Sequence, residues 1–350
     1  MKHIRIIPIL VAMLISLATY ADSMKGGIMP TPVTAYPVLN FRPDGTFKIV
    51  QLTDIHWRPE EVYEMEVNYN KMIGDILEIE KPDLVVITGD ILFRHGKVNY
   101  DLQKAIAPIV QRHIPWAFIM GNHDYEYGEN GANLVAFMSK QPYSLTQPGP
   151  EDLGSAGNYI LKIFSPKTQK VGALLYMIDS HGNDAPVELK GTDGSYDWIH
   201  LNQIEWYKNQ SSQYTKANGS TPIPSLMFFH IPIPEFKEVW DKGIVTGTKI
   251  EGVACPKVNS GMFTAILECQ DVSGVFVGHD HVNDYVGYLY GITLAYGRKT
   301  GLACYGPAPL ENGARVILMH EGVQSFDTWV RTKSGKQENS LKSPEYFLPQ

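Results

Sequence analysis

Six short apolar runs, each closing on polar residues, constrain this chain more than any other feature. Residues 47–52 lead into Thr53-Asp54, 84–87 into Thr88-Gly89-Asp90, and 116–120 into Gly121-Asn122-His123-Asp124. Residues 173–178 lead into Asp179-Ser180, 226–229 into His230, and 275–277 into Gly278-His279-Asp280-His281. Each run has the length and composition of a strand. Helical patterns lie between the first of them. Residues 70–80 place Met72, Ile73, Ile76, Leu77 and Ile79 mostly on one face, and Pro82 ends the pattern. Asp101 caps a second helix carrying Leu102, Ile106, Ile109 and Val110, with Pro108 set to kink it. Residues 201–209 form a third. Strands alternating with helices predict an α/β fold.

The texture sets one domain from about residue 41 to about 335, without internal repeats. Residues 22–40 read as a lead-in rich in Gly, Pro and Thr, and residues 336–350 as a peripheral tail. Residues 1–21 read as a secretory signal peptide. Lys2 and Arg5 precede an apolar run over 6–18, short of the roughly 20 residues that a spanning helix needs. Thr19-Tyr20-Ala21 then offers small residues at the cleavage positions. The mature chain is expected to be exported, periplasmic or secreted, with no membrane span. A composition of 44% hydrophobic and 19% charged residues excludes disorder, collagen and coiled coil. The net charge of −7 disfavours a basic nucleic-acid groove, and no stable nucleic-acid partner is expected. A phosphorylated substrate stays open, because bound metal ions reverse the sign locally. Three cysteines, Cys255, Cys269 and Cys304, exclude a disulfide framework and leave room for one bridge.

In open α/β sheets the active site lies beyond the carboxyl ends of the strands. Five of the six ends here carry metal-ligand types: Asp54 with His56, Asp90, Asn122 with His123, His230, and His279 with His281. Taken alone, most have a structural reading: Asp54 as a cap, His230 as a satisfied core histidine. Two imidazoles two residues apart on extended backbone, His279 and His281, point to one side. Carboxylate, amide oxygen and imidazole without thiolate suit Mn, Fe, Zn or Co. Seven candidate ligands, one of them a bridging carboxylate, would give each of two ions four protein ligands. Two ions about 4 Å apart clamp a phosphoryl group and hold a hydroxide nucleophile at neutral pH.

The set Asp54-x-His56, Gly89-Asp90, Gly121-Asn122-His123-Asp124, His230 and Gly278-His279-x-His281 resembles the calcineurin-like metallophosphoesterase superfamily. Flanking segments, among them Gln51 to Trp57, Phe229-His230-Ile231-Pro232 and Gly278 to Tyr285, resemble its plant and fungal purple acid phosphatase-like branch. The resemblance implies a four-layer αββα sandwich of two mixed sheets flanked by helices. It implies Asp54, His56, Asp90 and His281 at a first metal, with Asp90 bridging to a second held by Asn122, His230 and His279. It implies His123 as proton donor or substrate contact, and Asp124 as the carboxylate that orients it. Purple acid phosphatases carry Asp-x-Gly in the first motif and a Tyr three residues after the second-motif Asp. His56 and Phe93 stand there instead, so no tyrosinate absorption band is expected.

Around this set, Arg58 and Arg94 read either as phosphate contacts or as inter-loop ion pairs. His95 and His181 read as loop histidines. Tyr125, Glu126 and Tyr127 are candidates for a leaving-group pocket, with Trp57 and Tyr285 as further walls. The reaction expected is hydrolysis of a small phosphorylated substrate, phosphomonoester before phosphodiester or nucleotide. The rival from another class is a metal-bearing binding protein without turnover.

Overall fold

The computed structural model describes residues 37–58, 63–93, 97–127, 131–183, 185–186, 196–307 and 310–342. The first strands are β1 (Leu39–Asn40), β2 (Thr46–Leu52), β3 (Leu84–Thr88) and β4 (Trp116–Ile119). Alternation along β2, β3 and β4 divides their side chains between two apolar cores. Ile49, Leu84, Val86, Ala117 and Ile119 enter one core. Val50, Val85, Ile87, Trp116 and Phe118 enter the other. Strands covered on both faces have no polar side, which is why the β3 and β4 runs are continuously apolar in sequence, while β2 carries Lys48 and the buried Gln51.

The second core lies under three helices, α1 (Tyr63–Glu80), α2 (Val98–Val110) and α3 (Gly131–Met138). The first core joins β2–β4 to a second sheet. That sheet contains β5 (Tyr159–Phe164), β6 (Val171–Met177), β7 (Ser225–Phe228), β8 (Ile244–Thr246), β9 (Val272–Val277), β10 (Val286–Leu289) and β11 (Ile292–Tyr296). Its order is β1-β5-β6-β7-β9-β11-β10-β8, with β6, β7, β9 and β11 parallel to one another. The same core continues to α4 (Leu201–Ala217) and α6 (Met262–Cys269), which cover the outer face, while α5 (Glu235–Lys242) packs on β8 and β10. The other sheet is completed by β12 (Gly313–His320), β13 (Phe326–Thr332) and β14 (Gln337–Leu341), in the order β14-β13-β12-β2-β3-β4. Two mixed sheets flanked by helices are the four layers expected.

The elements exceed their sequence bounds in four places. The first and third helical patterns, read as 70–80 and 201–209, run over Tyr63–Glu80 and Leu201–Ala217. The residues added to α4 are mostly polar, and in α1 the added turns alternate acidic residues with Met65, Val67 and the buried Tyr69. Strands β1 and β14 lie outside the 41–335 span. Asn339 and Glu338 of β14 are tied by hydrogen bonds to Asp284 and Arg298 respectively, a buried ion pair. Asp101 does not cap α2. Lys97 occupies the cap, and Asp101 lies buried inside the first turn with its N–H on the Lys97 carbonyl at 2.9 Å. Residues 1–21 lie outside the described residues. The three cysteines are free thiols. Among the described residues, no helix is long and apolar enough to cross a membrane.

Candidate metal centre

The carboxyl ends of β2, β3 and β4 from one sheet meet those of β7 and β9 from the other. Backbone hydrogen bonds lock the junction, Thr300 N–H to the Thr53 carbonyl and Gly301 N–H to the Asp54 carbonyl, both at 2.9 Å, while Gly278 N–H to the His230 carbonyl at 3.0 Å ties the ends of β9 and β7. The chain bends sharply as it leaves these strands. Asp54, His56, Asp90 and His279 all adopt left-handed backbone, with φ of 51°, 46°, 51° and 79°. Each such residue costs about 1–3 kcal/mol, and clustering of this strain is a mark of functional sites.

The side chains converge as two groups that share Asp90. In the first group His56 Nε2 and His281 Nε2 approach to 3.1 Å. His281 Nε2 lies 3.4 Å from Asp54 Oδ1, and His56 Nε2 lies 3.5 Å from Asp90 Oδ2. In the second, His230 Nε2 lies 3.2 Å from that same Asp90 oxygen, and His279 joins the pair within ligand reach. All six are buried. His230 donates Nδ1–H to the Thr88 carbonyl at 2.7 Å, which aims Nε2 at Asp90. Asn122 Oδ1 and His279 Nε2 are buried without a hydrogen-bond partner. Buried acceptors left unpaired cost free energy that a bound cation would recover. The donor set therefore fits two ions of borderline hardness, joined through Asp90.

The electrostatics agree. Burial opposes a charge on Asp54, but the hydrogen bond and charge of His281 overcome it and bring its pKa to about 2. Burial likewise opposes ionisation of Asp90, and His230 outweighs it, holding the carboxylate well below its usual range. Burial holds His56 neutral, with a pKa of about 4, and His279 at about 3. Neutral imidazoles beside ionised carboxylates are the forms that bind metal. On His230 burial is overridden by Asp90, which pushes its pKa up to about 10. A cation bound there would take the proton's place.

His123 sits at the rim, partly exposed, with its backbone N–H on Asp90 Oδ1 at 2.9 Å. Asp124 does not orient it. The Asp124 carboxylate is spent on three backbone N–H groups, those of Asp90 and Gly121 at 2.8 Å and Ile91 at 3.1 Å. It braces the turn that carries Asn122, and burial pushes its pKa up to about 7. The carboxylate that reaches the His123 ring is Glu126, with Oε2 3.0 Å from Nδ1. Tyr125 directs its hydroxyl to Asp179. Arg58 lays its guanidinium over Phe93 at 4.4 Å and donates to the Ala303 carbonyl. Arg94 and His95 lie outside the described residues. Phe93 packs edge-on against His56 and His123, a position where it offers no hydroxyl.

Trp57 and Tyr285 are buried and line no open wall. Two tyrosines that sequence reasoning missed flank the centre instead. Tyr305 stacks on His281 at 4.4 Å, and Tyr196 meets His279 edge-on at 4.6 Å. Both come from distant loops without a motif.

Residues 47–283 match the model of the calcineurin-like phosphoesterase family. The chain is 32% identical to a protein of Arabidopsis thaliana named probable inactive purple acid phosphatase 29, covering 88% of this chain and 86% of that protein. It is 34% identical to phosphatase DCR2 of Saccharomyces cerevisiae over 69% of this chain and 45% of that protein. The fold is similar to that of a dimetal phosphatase from Danio rerio, with a TM-score of 0.55, 15% identity, and coverage of 82% of this chain and 96% of that one. On the match over most of its strands and strand ends, the chain belongs to the calcineurin-like phosphoesterase family.

Proposed function

We propose that this protein is a dinuclear metal-dependent phosphoester hydrolase, acting on small phosphorylated substrates and on monoesters before diesters. One observation carries the reading: two buried donor groups share Asp90 and leave Asn122 Oδ1 and His279 Nε2 unpartnered. Asp54, His56, Asp90 and His281 would hold one ion, and Asp90, Asn122, His230 and His279 the other. Bound ions would supply Lewis acidity at the phosphoryl oxygens and a nucleophile at neutral pH.

The chain's own residues supply the rest. Asp124 fixes the turn, so that Asn122 and His123 face the centre together. Glu126 occupies His123 Nδ1, which leaves Nε2 to give a proton to the leaving oxygen as the P–O bond breaks. The pattern in residues 1–21 adds export to this reading.

The second reading is a metal-bearing binding protein without turnover, favoured by the word "inactive" in the Arabidopsis relative's name. One experiment separates the two: hydrolysis of a chromogenic phosphomonoester and its diester by metal-loaded protein, beside His123→Ala. The hydrolase reading expects kcat to fall by about 10²–10⁴ in the variant with metal content unchanged. No turnover of either ester by the metal-loaded wild type would favour the binding protein.

A further inference from the structure

The turn Asn122–Tyr127 contains two carboxylates near His123, and they have separate tasks. Asp124 is buried and saturated by backbone N–H groups. Glu126 is half-exposed and faces the imidazole. Its Oε2 accepts from His123 Nδ1–H at 3.0 Å, and its Oε1 accepts from Asn183 Nδ2 at 3.2 Å. We infer that Glu126 is the positioning residue for His123, and that Asn183 holds Glu126 in place. The inference rests on the hydrolase reading above for its kinetic consequence.

Three contacts confine the ring before Glu126 acts. The His123 backbone N–H is fixed on Asp90. The ring meets His56 edge-on at 5.2 Å and Phe93 edge-on at 5.9 Å. Neither neighbour gives Nδ1 a hydrogen-bond acceptor. An ionised carboxylate only accepts, so Glu126 holds a hydrogen on Nδ1, and the hydrogen given to the leaving oxygen is the one carried by Nε2. That sets Nε2 as the atom that meets substrate. Asn183 belongs to the loop after β6, and the same loop is tied to the turn a second time through Tyr125 and Asp179. The histidine's orientation is thus shared between two loops.

Half-exposed pairs of this kind contribute little to stability. Removing Glu126 should therefore alter catalysis and leave folding unchanged. The test compares Glu126→Gln and Asn183→Ala, each in the wild-type and the His123→Ala background. Substrates are an aryl phosphate, whose leaving group needs little protonation, and an alkyl phosphate, whose leaving group needs it. Glu126→Gln is expected to lower kcat for the alkyl ester about ten- to a hundredfold, and for the aryl ester less, with KM, metal content and Tm unchanged. Asn183→Ala loses less, in the same direction. In the His123→Ala background Glu126→Gln changes nothing further. An undiminished kcat, an equal loss on both esters, or an equal loss without His123 would each overturn the inference. If the wild type turns over neither ester, the hydrolase reading fails on its own. The inference is then decided by ¹⁵N resonances of the His123 ring. Nδ1–H in the wild type that is lost in Glu126→Ala, which has no acceptor, supports it, and no change between the two overturns it.

Discussion

Asp90→Asn is expected to abolish both metal binding and turnover. The two donor groups meet at this one side chain, whose Oδ2 lies 3.5 Å from His56 Nε2 and 3.2 Å from His230 Nε2. An amide keeps the shape but loses the negative charge on Oδ2, the one oxygen that faces both donor groups. A loss of about a thousandfold or more in kcat/KM corresponds to about 4 kcal/mol of transition-state stabilisation. The variant should still fold. His230 is pushed up to about 10 mainly because Asp90 overrides its burial, so without that charge the imidazole sheds its proton and stays neutral. Metal analysis and a thermal melt check the two halves of this expectation. Two ions retained per chain would remove Asp90 from the bridging position.

Gly121→Ala should be nearly as damaging, although it removes no functional group. A Cβ at that position would overlap Asp90 Oδ1, and would stand 2.5 Å from the Asp90 nitrogen and 2.8 Å from His230 Nε2. None of these atoms is the far end of a flexible side chain. Asp90 and His230 must separate, and the second ion loses its pocket. The expected result is about a hundredfold lower kcat/KM and a lower metal content. Gly252→Ala is the control. A Cβ there has nothing within 4 Å, and both readouts should match the wild type.

Much of this centre was legible in the sequence because burial and chemistry coincide at strand ends. Val85, Val86 and Ile87 read as an unbroken apolar run since both faces of β3 are covered, and the first polar residues after it are Thr88, Gly89 and Asp90. The seven metal-ligand candidates all fall in such turns, so a linear motif carries a three-dimensional cluster. The details that failed are those set by side-chain direction. Asp124 and Glu126 are both acids just after His123. Only the tight turn of Asn122–Tyr127 decides that Asp124 points back into the backbone while Glu126 reaches the ring. Tyr196 and Tyr305 were missed because loops far apart in sequence bring them to His279 and His281. Trp57 and Tyr285 were misplaced for the converse reason, since aromatics near motifs are as often core as wall. Strand β14 was read as tail because an edge strand with the sequence Gln-Glu-Asn-Ser-Leu has little apolar content, and its place is fixed by Arg298 and Asp284 instead.

The central claim is that two ions share Asp90 and together make the site active. It is tested most directly by titrating metal-stripped protein with Mn, Fe, Zn or Co while following bound metal and phosphomonoester hydrolysis together. The account predicts saturation at two ions per chain, turnover that rises with the second equivalent, and loss of both with a chelator. Saturation at one ion, or full activity after the first, would contradict it.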